Sequence, residues 1–317
     1  EKIIGCKRLR SRISIGVFQG KRMAIRNLGK AVRQAKVNDP GKSFSEIGKD
    51  FGITKDSARG LYVRALQYSS PPLRNSPEIR ISGDVVVVGD VHVPYTHKDL
   101  VRTVRKAGEE HGIKQIAIVG DLFSFSSLSR WATVVREPTV QEELRVAREI
   151  LGYWMQHFDT AFMCMGNHDL RLAGAMKGEL GPDNLADMFR PADVSPDRFR
   201  ITMRDRMWLK DPKWLLAHQV MYGRNKLSIA QQLSSSYECN VLTHHQHHQA
   251  VGQSSNAKYI IADNGCLCDS SKTPYKALST SSFPEWCVGF SFFKNGVYNA
   301  YWHGKRFGWK PIPAGMS

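Results

Sequence analysis

The segment VLTHHQHHQA, Val241–Ala250, places four histidines in five consecutive positions: His244, His245, His247 and His248. Imidazole binds borderline divalent metals and moves protons near neutral pH, so such a cluster could do metal ligation or acid–base chemistry. The cluster alone decides nothing, because a metal needs further donors brought to it from elsewhere in the chain. Such donors recur. Asp90 and His92 follow Gly89 in GDVH, Asp121 follows Gly120 in GDLF, and Asn167, His168 and Asp169 follow Gly166 in GNHD. His218 closes the run WLLAH. Any one of these histidines alone reads as a satisfied core residue. Together the blocks supply carboxylate, imidazole and amide oxygen, a donor mixture that suits Mn²⁺, Fe or Zn²⁺ better than Ca²⁺.

Each block needs an element to hold it. Asp84–Gly89, Gln115–Val119 and Ala161–Met165 are short apolar runs that read as buried strands, as do Trp214–Ala217 and Asn240–Thr243. Between the first three, Lys98–Gly112 and Glu142–His157 read as helices. Strand, helix, strand, helix, strand predicts an α/β (α+β) sandwich. Ligands gather at the C-terminal ends of strands in such sheets, so the blocks are expected to converge. Gly89, Gly120 and Gly166 read as the residues that let the backbone turn sharply there.

In this order the blocks resemble the calcineurin-like metallophosphoesterases, over about residues 84–305. The resemblance implies a four-layer fold, two mixed β-sheets flanked by helices, with two divalent metal ions between the strand ends. It implies that Asp90 and His92 bind the first metal, that Asp121 bridges both, and that Asn167 and His218 bind the second. The family's last block is Gly-His-x-His. Matched to it, His245 binds the second metal and His247 the first, while His244 occupies the Gly position. His244 and His248 have no counterpart and are expected at the rim. His168 resembles the family's non-ligand catalytic histidine, which steadies the phosphate or protonates the leaving group, and Asp169 is expected to orient it. Mn²⁺ is the expected metal, with Fe or Zn²⁺ as alternatives. A water bridging two such ions has a lowered pKa and can attack phosphorus.

Charge separates the chain into two parts. Residues 1–80 hold 18 Lys+Arg against 6 Asp+Glu, a net of +12, and the other 237 residues net +4. A basic appendage on a near-neutral body points to a polyanionic partner. Residues 1–66 read as helical, with Met23, Ile25, Leu28, Ala31 and Val32 near helical spacing. Ser43 and Glu46 form a capping-box pattern, Gly52 ends one short helix, and Thr54 caps the next. This stretch resembles helix-turn-helix DNA-binding domains, which places Lys55, Ser57 and Arg59 at the exposed start of a recognition helix. Residues 67–80, with Pro71-Pro72 and Pro77, read as a linker, and 81–317 as the metallophosphoesterase domain. The six cysteines show no disulfide pattern and read as reduced thiols. No apolar run reaches membrane-span length, and EKIIGCKRLRSR is not followed by an apolar signal core, so a cytoplasmic location without membrane contact is expected.

The substrate is read from what the blocks lack and what is attached to them. Protein phosphatases of this fold carry Gly-Asp-x-x-Asp-Arg-Gly in the second block; here it reads GDLFSFS, without that Asp or Arg. GDLFSFSSLSRW, GNHDLRL, NGCLCD and EWCVGFSFF resemble phosphoesterases encoded by tailed bacteriophages, which makes the host cytoplasm the expected compartment. The basic domain then favours a nuclease acting on DNA. A phosphomonoesterase or small-nucleotide diesterase, and a DNA-binding protein with a vestigial metal site, are the alternatives. Arg130, Trp131, Arg136 and Arg171 are minor candidates for the cleft rim.

Overall fold

A computed structural model describes residues 17–18, 21–22, 25–39, 41–69, 76–129, 136–177, 179–220, 223, 225–273, 286–304 and 308–312. The chain divides into two compact units, Glu1–Arg74 and Asn75–Ser317.

In the first unit, β1 (Val17–Phe18) and β2 (Lys21–Arg22) pair antiparallel where helix was expected. Met23 lies outside the described residues. Three helices follow: α1 (Ile25–Asn38), α2 (Phe44–Asp50) and α3 (Lys55–Ser69). The Ser43 hydroxyl accepts the Glu46 N–H, and the Glu46 carboxylate accepts the Ser43 N–H, so both members of the capping box are formed. Gly52, at φ +63°, makes the turn, and the Thr54 hydroxyl oxygen accepts the Ser57 N–H at the start of α3. Val32, Ile47, Ala58 and Leu61 form a small core, with Leu28, Phe44, Phe51, Ile53 and Tyr62 packed against it. A Cβ on Gly48 would lie 2.7 Å from Ile53 O, so only glycine lets the turn close on α2. Lys55, Ser57 and Arg59 are exposed.

The expected linker is taken up at both ends. α3 runs on to Ser69, and Ser76 is already buried in the second unit, its hydroxyl accepting the Met203 N–H. That unit is a sandwich of two mixed sheets. β3 (Arg80–Ile81), β4 (Val85–Val88), β5 (Gln115–Val119), β6 (Thr160–Cys164), β7 (Phe199–Thr202), β8 (Arg206–Leu209), β9 (Trp214–His218), β10 (Asn240–His244), β11 (Gln249–Gln253), β12 (Ile260–Asn264), β13 (Gly289–Lys294), β14 (Val297–Gly304) and β15 (Gly308–Ile312) follow in chain order. One sheet runs β15-β14-β13-β4-β5-β6-β7, the other β11-β12-β10-β9-β8-β3. β4 to β7 are mutually parallel, as are β9, β10 and β12. All four valines of β4 are fully buried, as a central parallel strand covered on both faces requires.

One core lies between the sheets, where Val85, Val87, Val119, Cys164, Trp214, Leu216 and Leu242 meet. Each such side chain taken fully out of water contributes roughly 1.5–3 kcal/mol before entropy is counted. Helices cover the outer faces. α4 (Lys98–His111) buries Leu100, Val101, Val104 and Ala107, and ends on Gly112 in the left-handed conformation. α5 (Val140–Met155) starts on a capping box of Thr139 and Glu142 and buries Ala147, Leu151 and Trp154. Two short helices, α6 (Leu170–Ala175) and α7 (Pro182–Phe189), follow β6. On the other sheet α8 (Ser228–Tyr237) packs Ile229, Ala230 and Leu233 against Leu215, Val241 and Ile261. The result is helix, sheet, sheet, helix. The described cysteines are all free. No described helix is long and apolar enough to cross a membrane.

Candidate metal centre

β4, β5 and β6 run parallel and side by side, so the turns after them emerge at one edge of their sheet. These turns are stitched together through the backbone. The Asp90, His92 and Val93 N–H groups donate to Gly120 O, Asp121 O and Leu122 O, and the Gly120 N–H to Cys164 O. In the other sheet β9 and β10 are parallel and in register, His218 opposite His244. The two sets of strand ends meet, and the histidine cluster closes over Asp90 and Asp121.

Three overlapping groups each bring their ligand atoms within 4.8 Å of one another: Asp90, His92 and His247; His92, Asp121 and His168; Asp121, His218 and His245. Asp90 Oδ1 lies 3.1 Å from His218 Nε2 and 3.2 Å from His247 Nε2. Asp121 Oδ2 lies 3.2 Å from His218 Nε2 and 3.8 Å from His92 Nε2. Nε2 of His92 and Nε2 of His247 face each other at 3.3 Å. Asn167 follows β6, and its Oδ1 is buried without a hydrogen-bond partner among the described residues. Opposed imidazole nitrogens, two carboxylates and an orphaned amide oxygen form an arrangement that a cation completes, so the residues present fit a divalent metal.

Burial and neighbouring charge compete at each group. Burial works to raise the Asp90 and Asp121 carboxyls, but the imidazoles outweigh it, His247 foremost at Asp90 and His218 at Asp121, and both are held well below the usual range. Burial works to lower His218, yet Asp121 and Asp90 raise it well above an ordinary imidazole. His92 is pushed well down by burial and by His168 beside it. Burial and His218 together push His245 down to about 4.

Of the three glycines expected to make the turns, one adopts the left-handed conformation. Gly120 has φ +72°, but Gly89 and Gly166 do not turn in the left-handed region. Asp90, His92, Asp121, His245 and His247 do, at φ 49°, 48°, 49°, 87° and 55°. Each such non-glycine residue costs roughly 1–3 kcal/mol, and strain of this kind concentrates where side chains must be aimed. The glycines instead make room. A Cβ on Gly166 would overlap the Asp121 carboxylate, and one on Gly120 would overlap the His218 ring.

His168 stands beside the cluster. Its N–H donates to Asp121 Oδ1 at 2.8 Å, its Nδ1 lies 3.0 Å from Ser124 O, and Arg171 Nη2 lies 3.3 Å from its Nε2. Asp169, expected to orient it, does something else. Its Oδ2 accepts the Asp121 and Gly166 N–H groups at 2.7 and 2.8 Å, and its Oδ1 the Phe123 N–H at 3.1 Å. Asp169 therefore ties the second and third turns together, and Ser124 O and Arg171 hold His168. Of the remaining rim candidates, Arg136 is exposed beside Glu142, and Arg130 and Trp131 lie outside the described residues.

His244 and His248 are not rim residues: both are buried. The His244 ring packs beneath Asp90, and neither ring nitrogen of His248 has a hydrogen-bond partner among the described residues. Three further residues were not anticipated. Glu143 on α5 accepts the Ser124 and Phe125 N–H groups at 2.9 and 2.7 Å, fixing the loop whose carbonyl holds His168. Its signal was available, a carboxylate on the apolar stripe of Ala147, Leu151 and Trp154. Asn264 closes β12 immediately before Gly265, one more polar residue at a strand end. The Trp286 ring packs edge-on against His247, 4.1 Å between centroids.

The sequence pattern of the calcineurin-like phosphoesterases matches residues 83–262, and the chain belongs to that family of metal-dependent phosphoester hydrolases. No curated protein sequence matches it significantly. Among solved structures, a single-mutant form of Vps29 from Entamoeba histolytica is 11% identical with a TM-score of 0.40, covering 72% of this chain and 97% of that one. Vps29 of Chaetomium thermophilum is 10% identical with a TM-score of 0.41, covering 73% and 96%. The nuclease MPE of Pseudomonas putida is 15% identical with a TM-score of 0.34, covering 72% and 87%.

Proposed function

We propose that this protein is a two-metal phosphodiesterase that hydrolyses DNA, with the first unit as its DNA-docking module. The observation that carries the reading is the overlap of the three donor groups: Asp121 links His218 and His245 to His92 and His168, and His92 links these in turn to Asp90 and His247. In this reading Asp90, His92 and His247 hold one ion, and Asn167, His218 and His245 the other. Asp121 would be shared between them, its charge offsetting the repulsion between the two cations. Mn²⁺ is the preferred occupant given mixed nitrogen and oxygen donors. When bound, the ions would lower the pKa of the attacking water and offset charge on the phosphoryl oxygens.

The chain's own groups do the rest. With Nδ1–H committed to Ser124 O, Nε2 of the neutral His168 ring carries no proton and faces Arg171 Nη2 at 3.3 Å; it protonates the leaving oxygen only as imidazolium, after taking up a proton in place of that contact. Asp169 and Glu143 hold the turns that aim Asp121 and His168. The net of +12 on residues 1–80 supports a nucleic-acid substrate, as does the likeness of several blocks to phage enzymes. Lys55, Ser57 and Arg59 at the exposed start of α3 are the proposed DNA contacts.

The test is cleavage of supercoiled, linear and single-stranded DNA with Mn²⁺, alongside bis-p-nitrophenyl phosphate, for wild type, His168→Ala and Lys55→Ala/Arg59→Ala. DNA cleavage that needs His168 and weakens in the double variant, with small-diester hydrolysis unchanged by that variant, is the expected result. Hydrolysis of the small diester alone would reject DNA. Inactivity with Mn²⁺, Fe²⁺ and Zn²⁺ would reject the hydrolase reading.

A further inference from the structure

His244 occupies the position where the family's last block carries glycine, and the function proposed above makes no use of it. The structure assigns it a task. We propose that His244 is a positioning residue that makes Asp90 a one-oxygen donor to the first metal, an inference that rests on the two-metal reading.

The two oxygens of Asp90 face different surroundings. Oδ1 points at the ring nitrogens of His218, His247 and His92, at 3.1, 3.2 and 3.8 Å. Oδ2 points away from them, with the His245 N–H at 2.9 Å and His244 Nδ1 at 3.2 Å. Which nitrogen of His244 carries the proton follows from its other neighbour. Asn264 Nδ2 lies 3.1 Å from Val87 O, and a carbonyl can only accept, so the amide nitrogen is fixed on that side. The same Nδ2 lies 3.0 Å from His244 Nε2. Nε2 therefore accepts, Nδ1 carries the proton, and Nδ1–H donates to Asp90 Oδ2.

The chain of bonds runs from Val87 on β4 through Asn264 on β12 and His244 on β10 to Asp90, so it crosses from one sheet to the other and back. Both ring nitrogens of His244 are committed, and it is not itself a ligand. The ring fits because residue 89 is glycine: a Cβ there would lie 2.5 Å from His244 Nδ1 and 2.6 Å from Val119 O. With two N–H donors on Oδ2, only Oδ1 is left to meet a cation. Glycine at 244 would leave Oδ2 with the His245 N–H alone.

Mn²⁺ titration of the metal-free full chain by calorimetry, with thermal melts of each metal-free variant, tests this. His244→Asn keeps a donor at the Nδ1 position and is expected to bind Mn²⁺ within about 3-fold of wild type, whereas His244→Leu and His244→Gln lose that donor and weaken one site about 10–100-fold. Asn264→Asp, which removes the donor that fixes the tautomer, is expected to weaken the same site and serves where His244→Leu fails to fold. His244→Leu or Asn264→Asp binding like wild type would overturn the proposal. So would His244→Asn binding as weakly as His244→Leu while melting like wild type. Wild type that takes up no Mn²⁺, Fe²⁺ or Zn²⁺ would instead overturn the metal-centre reading, and this proposal with it.

Discussion

Glu143 gives the most direct energetic test of how the centre is supported. It is a fully buried carboxyl on α5, one oxygen accepting the Ser124 and Phe125 N–H groups and the other, Oε1, without a hydrogen-bond partner among the described residues. Burial raises its pKa from the ordinary 4.5 to about 7, against the pull of those N–H groups and of the Arg171 charge. Below pH 4.5 the group is protonated folded and unfolded, and its contribution to stability is fully present. As pH rises the unfolded chain ionises first, so stability is lost until the folded group titrates near 7. At about 1.36 kcal/mol per pKa unit, the loss across that window is about 3 kcal/mol.

Glu143→Gln removes the titration and keeps the shape and one acceptor oxygen. The expected result is near-equal stability at pH 4.5 and a variant about 3 kcal/mol more stable than wild type by pH 7.5. All seven tryptophans lie after residue 74, so urea unfolding followed by tryptophan fluorescence reports on the second unit alone. With an unfolding slope of about 2–3 kcal/mol per M, the midpoints separate by roughly 1–1.5 M between the two pH values. Glu149→Gln, exposed on the same helix, is the control and should leave the difference flat. A flat difference for Glu143→Gln would refute the burial argument. A difference that grows in favour of wild type as pH rises would mean the N–H groups hold Glu143 ionised.

Other outcomes follow from the same geometry. His168→Ala should lower phosphoester hydrolysis about 10²–10⁴-fold, the usual worth of general acid–base catalysis, while metal content by atomic absorption stays unchanged. Asp169→Asn presents an amide nitrogen to one of three N–H donors and should cost about 1–3 kcal/mol in urea unfolding. If the first unit docks DNA, Lys55→Ala/Arg59→Ala should reduce the slope of log affinity against log salt by about 2, measured by fluorescence anisotropy on an unrelated duplex. Saturating Mn²⁺ at about 100 times its dissociation constant should stabilise the second unit by about 2.7 kcal/mol for each ion bound, reversed by EDTA.

What the sequence made legible was set by how locally each feature is encoded. Val85–Val88 and Ile116–Val119 announce buried strands because a parallel strand covered on both faces must be apolar throughout. Ser43–Glu46 writes its helix start within four residues; Thr139–Glu142 carries the same pattern, although that helix was expected only from Glu142. Strands β3, β7, β8 and β11 to β15 were not anticipated, because short strands with mixed faces such as Gln249–Gln253 carry no period that distinguishes them from loops. The site divides in the same way. The residues proposed to hold a metal are Asp, His or Asn after a strand, and it was their types that marked them as candidates. Residues that aim those ligands are specified by what lies across the sandwich. Nothing near Gly89 in sequence says that the ring of His244, 155 residues on, needs the space a Cβ would fill. Nothing near Asp169 says that its carboxylate binds backbone around Asp121 rather than the His168 ring next to it. A candidate ligand is thus visible as a residue type, whereas its orientation is a property of the tertiary fold. The second histidine of HHQHH could therefore be matched to a metal from sequence, while the first acquired a role only once the two sheets were seen to close over Asp90.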